Sequence, residues 1–175
     1  MLKMMERLPA GCAFSAMKSP VGTLSLIASD TGLRAVLFEN DRVEKECGEI
    51  IGALKVSDRH PILAETRKQL AEYFALRRSK FDLPLIMDGT PFQKLAWKAL
   101  LTIPYGKTIS YGEQARRLGS PAKARAVGGA NSRNPISIIV PCHRVIGKSG
   151  ALTGFGGGLG TKKFLLELEK KAAGK

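Results

Sequence analysis

At 175 residues the chain can bury a core without covalent help, and its three cysteines (Cys12, Cys47 and Cys142) are odd in number and too widely spaced for a disulfide framework or a paired metal knuckle. No apolar stretch reaches bilayer length, and Met1 to Pro9 lacks the continuous apolar core of a signal peptide, so a soluble, cytoplasmic protein is expected; the cysteines point to a reducing compartment, and a monomeric state is expected. The formal charge of +13 is uneven: residues 1–88 hold 13 Lys+Arg against 12 Asp+Glu, whereas residues 89–175 hold 15 against 3, which predicts that the second part meets a polyanion.

In chain order, extended segments are predicted at Cys12–Lys18, Thr23–Ala28 and Leu33–Glu39, with turns at Pro20–Gly22 and Asp30–Gly32. Residues 61–78 then space Ile62, Leu63, Leu70, Phe74 and Leu76 for a helix starting at Pro61. This part reads as a small antiparallel sheet plus a helix, with no evident chemistry. Cys12, Cys47 and His60 match no zinc signature, and structural roles are expected for them, with no metal. The turn Asp88-Gly89-Thr90-Pro91 suggests a boundary between domains 1–88 and 89–175.

Beyond it, Thr90-Pro91 opens a helix over Phe92–Leu101, and Ser110 with Glu113 forms a capping-box pattern for a short helix ending at Gly119. Ser120-Pro121 starts another, running to about Ser132, and the pair reads as a helix-turn-helix. The second helix is bare: Ala122, Ala124, Ala126, Gly128, Gly129 and Ala130 surround Arg125. Small side chains suit either shallow minor-groove docking with little sequence preference or close packing on a neighbouring helix, and both readings can hold on different faces. The fold class is thus α+β, with a sheet-and-helix part followed by a mostly helical part bearing a winged-helix-like helix-turn-helix.

Ile138-Ile139-Val140 reads as a short buried strand between Pro135 and Pro141, and it delivers Cys142 beside His143. A thiol is a good nucleophile only as thiolate, and an adjacent imidazole lowers its pKa from about 8.5. A buried structural cysteine is the alternative.

These motifs together resemble the O6-alkylguanine-DNA alkyltransferases, or methylated-DNA-protein-cysteine methyltransferases, from Pro91 to Glu169. The matching pieces are Phe92-Gln93 with Trp97, Ile103-Pro104-Tyr105-Gly106, Ser110-Tyr111-Gly112, Ala124 to Ala130 around Arg125, Asn134-Pro135, Pro141 to Val145 and Gly157-Gly158-Leu159. The resemblance implies irreversible, cofactor-free transfer of an alkyl group from O6 of guanine, and also from O4 of thymine, to Cys142, with the damaged nucleotide flipped out of double-stranded DNA. It implies His143 as the group taking the thiol proton through a water, Glu169 as the carboxylate orienting it in preference to Glu167, and Asn134 as the tie between the helix-turn-helix and the thiol. It gives Arg125 the place of the flipped base, with Ala124, Ala126 and Gly128 on the DNA face, and sets Tyr111 against the 3′ phosphate and the flipped base. The carbonyls of Cys142 and Val145 would accept from the guanine amine, and backbone near Gly156 would donate to O6. Two residues depart from the pattern: Phe155 stands where many members have tyrosine, and Ser137 where some have proline, which bears on the range of alkyl groups. A lesion-sensing protein without catalysis and a thiol hydrolase are the rival classes. Cys142 beside His143 argues against the first, and the bare helix and the charge against the second.

Overall fold

The computed structural model describes Leu8, residues 11–39 and residues 51–174. Its first elements are two hairpins: β1 (Ala13–Ser19) pairs antiparallel with β2 (Gly22–Ser29), which pairs antiparallel with β3 (Gly32–Phe38). Both turns fall where the sequence marks them. A short β4 (Lys55–Val56) joins β1 in parallel, giving the order β3-β2-β1-β4. Helix α1 (Pro61–Phe74) packs on this sheet through Leu63, Leu70 and Tyr73.

The helix predicted to residue 78 ends earlier. Leu76 takes φ +60°, and the Arg77 amide closes back on the Glu72 carbonyl at 2.9 Å, a left-handed terminating turn. Apolar spacing carried the prediction too far because Leu76 belongs to that turn.

Helix α2 (Pro91–Leu100) has the full capping box, with Thr90 and Gln93 bonding each other's backbone amides. Helix α3 (Tyr111–Arg117) has half of one: Ser110 accepts from the Glu113 amide at 3.1 Å, but the Glu113 carboxylate turns to Arg116 and Arg117 instead. Gly119, at φ +68°, reverses the chain into a 3-10 turn (Pro121–Lys123) and then α4 (Ala124–Asn131). Buried amides of Gln114 and Asn131 bond each other, Gln114 also bonds the Ala96 carbonyl, and the Trp97 indole donates to the Ala130 carbonyl at 2.9 Å. These bonds lock the helix-turn-helix onto α2. Strand β5 (Ile109–Ser110) pairs in parallel with β6 (Val145–Ile146), and α5 (Gly158–Ala173) closes the described chain.

The largest departure lies before Cys142, where no strand forms over Ile138–Val140. Only the stretch around Ile136 pairs with β3: the Val36 amide donates to Pro135 and the Ser137 amide to Val36, at 2.9 and 3.0 Å. Ile138 then takes φ +70°, and the amides of Ile139, Val140 and Cys142 bond carbonyls two or four residues back. The run is apolar because Ile136, Ile138, Ile139 and Val140 are each buried in a tight coil. Periodicity cannot separate such a coil from a strand. Cys142 therefore opens a 3-10 turn (Cys142–Arg144) at the end of a compact knot of backbone. One core cluster joins Leu26, Val36, Leu63 and Tyr73 to Trp97, Ile136, Val140 and Leu165, so the sheet directly supports that knot.

Candidate active site

The Cys142 sulfur accepts from the Asn134 side-chain amide at 3.3 Å. That amide also donates to the Val140 carbonyl at 2.7 Å, while the Asn134 oxygen accepts from the Ile136 amide at 3.1 Å. One buried side chain thus holds both ends of the coil and reaches the thiol. This side chain links the segment after α4 to the reactive turn.

Next to the thiol, His143 is fully buried, and its Nε2 lies 2.8 Å from Glu169 Oε1. Its Nδ1 has no hydrogen-bond partner among the described residues. Glu169, also fully buried, is met by four further donors. Arg144 bonds both oxygens, Nε to Oε2 and Nη2 to Oε1, each at 2.9 Å; Tyr73 donates to Oε1 at 2.9 Å and the Gly106 amide to Oε2 at 3.0 Å. Gly106 takes φ +71°, and a Cβ there would lie 2.7 Å from Ala173, so only glycine brings its amide this close to α5. Burial pushes the Glu169 pKa up, but hydrogen bonds and positive charge from His143 and Arg144 outweigh it and bring it to about 2. Burial lowers the His143 pKa, partly countered by Glu169. A neutral imidazole whose Nε2–H points at a carboxylate keeps Nδ1 as its basic nitrogen. Glu167, the competing carboxylate, is exposed and faces Lys163 at 3.9 Å.

Around the thiol, the Tyr111 hydroxyl donates to the Thr153 carbonyl at 3.3 Å. Lys162, fully buried, donates to the Val145 and Thr153 carbonyls at 2.7 and 2.8 Å, and its ammonium lies 5.7 Å from the Tyr111 ring centre. The Val145 carbonyl is therefore already engaged on one lone pair. Phe155 stands 5.3 Å from Phe38 and 6.5 Å from the His143 ring, centre to centre, and Gly156 is exposed on the same loop. Ser137 is buried within the coil. Arg125 and Ala126 are exposed on α4, with Ala124 and Gly128 half-exposed, while Val127, Ala130 and Asn131 pack inward. The inward face packs closely, as one reading of the bare helix expects, and the outward face is left open. Gly128 lies against Tyr111, where a Cβ would sit 3.7 Å from the ring.

Tyr73, Gly106, Arg144 and Lys162 were not assigned site roles from sequence. Arg144 lies inside the Pro141–Val145 motif, whereas Tyr73 reads as a core aromatic and Lys162 as one more helix lysine. Among the described residues no three His, Cys, Asp or Glu side chains form a metal cluster, and no helix is long and apolar enough to cross a membrane. Cys12 is buried in a small apolar cluster, His60 lies 3.5 Å from Asp30, and Cys47 lies outside the described residues.

A buried cysteine held by an asparagine and followed by a histidine–glutamate pair, in a chain that also carries a helix-turn-helix, defines a class of thiol-nucleophile proteins. Residues 91–171 match the family described as 6-O-methylguanine DNA methyltransferase, DNA binding domain, and residues 13–87 match its ribonuclease-like domain. A methylated-DNA--protein-cysteine methyltransferase of Methanosarcina acetivorans is 44% identical over 89% of this chain and 97% of its own length. One from Mycobacterium tuberculosis is 63% identical over 60% of this chain, and the matched part spans 64% of that relative's own length. The crystal structure of Mycobacterium tuberculosis OGT in complex with DNA superposes with a TM-score of 0.82 at 44% identity, covering 91% of this chain and 94% of that one. The chain belongs to the O6-alkylguanine-DNA alkyltransferase family.

Because the folded pKa of Glu169 lies below its ordinary 4.5, its ionisation contributes stability that is complete above about 4.5 and lost as pH falls toward 2. Chemical denaturation of the parent should lose up to about 3 kcal/mol over that range through this group. Glu169→Gln should be destabilised by about 3 to 5 kcal/mol at neutral pH, with Arg144 left buried and unpaired, and should show a flatter acid limb. Parallel pH curves for the two proteins would contradict this placement.

Proposed function

We propose that this chain repairs DNA by moving an alkyl group from O6 of guanine, and from O4 of thymine, onto Cys142, once per protein molecule and without a cofactor. Cys142 beside His143, whose Nε2 lies 2.8 Å from the buried Glu169 carboxylate, is the observation that carries this reading. His143 Nδ1 takes the thiol proton, through a water. The thiolate attacks the alkyl carbon, an S–C bond forms as the C–O6 bond breaks, and the base takes up a proton as guanine. Thiol and alkylguanine become thioether and guanine, so the atoms balance. A thioether is not readily hydrolysed, so on this reading the protein is a single-use acceptor.

The substrate atom is out of reach inside a duplex, so the nucleotide must leave the stack at a cost of a few kcal/mol. Arg125, exposed on the bare face of α4 with Ala124 and Ala126, fills the space it leaves. Tyr111 meets the flipped base and its phosphate once it exchanges its bond to Thr153. Phe155 walls the pocket, Gly156 offers backbone to O6, and the carbonyls of Cys142 and Val145 take the exocyclic amine, Val145 sharing its oxygen with Lys162. The division of labour follows 1–88 as support and 89–175 as the DNA-binding and alkyl-transfer part, and the protein works as a monomer in the cytoplasm. The excess of 15 Lys+Arg over 3 Asp+Glu in residues 89–175 supports a duplex as partner.

Incubation with duplex DNA containing O6-methylguanine should add one methyl mass to the Cys142 peptide and restore guanine, with one event per protein molecule. Continued turnover, or a Cys142 peptide of unchanged mass, would sink the proposal. Arg125→Ala should lose repair of the duplex lesion by about tenfold or more while reacting with free O6-methylguanine base at nearly the parent rate, since it forgoes only the help with unstacking. Equal losses on both substrates would remove Arg125 from the flipping step.

A further inference from the structure

Tyr73 lies in α1, in the part of the chain where the sequence suggests no chemistry. Its ring is fully buried against Phe74, Phe81 and Tyr105, with centres 5.4, 5.5 and 6.0 Å away. Its hydroxyl donates at 2.9 Å to Glu169 Oε1, the oxygen that meets His143 Nε2 at 2.8 Å. We infer that Tyr73 is a positioning residue for alkyl transfer: its hydroxyl fixes how Glu169 presents Oε1 to His143, so residues 1–88 supply a working member of the reactive site. The inference rests on the alkyl-transfer reading above.

Two observations separate this role from plain core packing. The first is the local contrast with Tyr105, a neighbour in the same aromatic cluster, whose hydroxyl oxygen is buried and has no hydrogen-bond partner among the described residues. The cluster thus accommodates a phenol with no hydrogen-bond partner among the described residues, and ring packing alone does not require the Tyr73 hydroxyl to reach Glu169. The second is saturation. Oε1 receives Tyr73, His143 and one Arg144 nitrogen, and Oε2 receives the other Arg144 nitrogen and the Gly106 amide. Donors on both oxygens fix the carboxylate plane and compensate part of its charge. Without the Tyr73 hydroxyl, Oε1 carries more uncompensated charge toward His143 and holds the ring less firmly. The imidazolium is then favoured, so the Cys142 thiolate forms at lower pH. The less firmly held ring is what slows methyl transfer; the lower nucleophilicity of a thiolate of lower pKa adds less than about twofold for half a pH unit.

The test compares full-length parent, Tyr73→Phe and Tyr105→Phe proteins. The readouts are the methyl-transfer rate from an O6-methylguanine duplex, the pH dependence of Cys142 alkylation by iodoacetamide, affinity for unmodified duplex, and melting temperature. Tyr73→Phe should slow methyl transfer about tenfold, the scale of one hydrogen bond to a charged group. It should also move the iodoacetamide midpoint down by about half a pH unit or more, with duplex affinity unchanged. Tyr105→Phe should leave all four readouts at parent values. A Tyr73→Phe protein with the parent's rate and pH profile overturns the inference, as do equal changes in the two variants, which would mark a packing effect. A parent that takes no methyl from the duplex would refute the alkyl-transfer reading instead, and the iodoacetamide profiles would still decide the place of Tyr73.

Discussion

The Glu169 carboxylate is the constraint on which the rest of the reactive site depends. A buried carboxylate is costly unless its charge is compensated, and here compensation comes from three places in the chain: α1 through Tyr73, the turn after α2 through Gly106, and the reactive turn through His143 and Arg144, the last steadied by donating to the Ile103 carbonyl at 2.7 Å. Each donor gains from the carboxylate only if its own element is docked. The site therefore forms when the fold is complete, and the imidazole next to Cys142 is oriented by contacts that span the sequence.

A second constraint is the coil before Cys142. Pro135 and Pro141 remove two backbone donors, Ile138 takes a left-handed angle, and the Asn134 amide binds the Val140 carbonyl and the thiol sulfur. Edge pairing with Val36 and a shell of buried Ile and Val side chains hold this conformation. Holding the sulfur in a rigid frame limits the motion lost on reaching the transition state. The cost of the left-handed isoleucine is carried by the core.

Much of this was legible in the sequence, for identifiable reasons. The hairpin turns, the Thr90 cap and the reversal at Gly119 follow from local chemistry that acts over a few residues. Cys142 and His143 stood out because they are adjacent after an apolar run, whereas Asn134 came through the family pattern. Glu169 was found through the family pattern, and its burial beside exposed Glu167 gives the physical reason for choosing it. The coil was misread as a strand because burial on all sides and burial on one face look alike in an apolar run of three. Tyr73 and Lys162 were missed because a helix pattern marks which face is inward but not that a polar tip meets a group 96 or 17 residues away.

On the proposed reading the charge distribution and the reactive pair serve two separable tasks: the exposed face of α4 and the basic second part would meet a duplex, and the Glu169 network sets the state of one imidazole. The most direct measurement is the protonation state of His143 by 15N nuclear magnetic resonance in the full-length protein at neutral pH. With Glu169 holding the ring, Nε2 should carry the proton and Nδ1 should be bare and basic. A proton on Nδ1, with Nε2 bare, would contradict the placement of Glu169 as the group that readies His143 for the Cys142 proton.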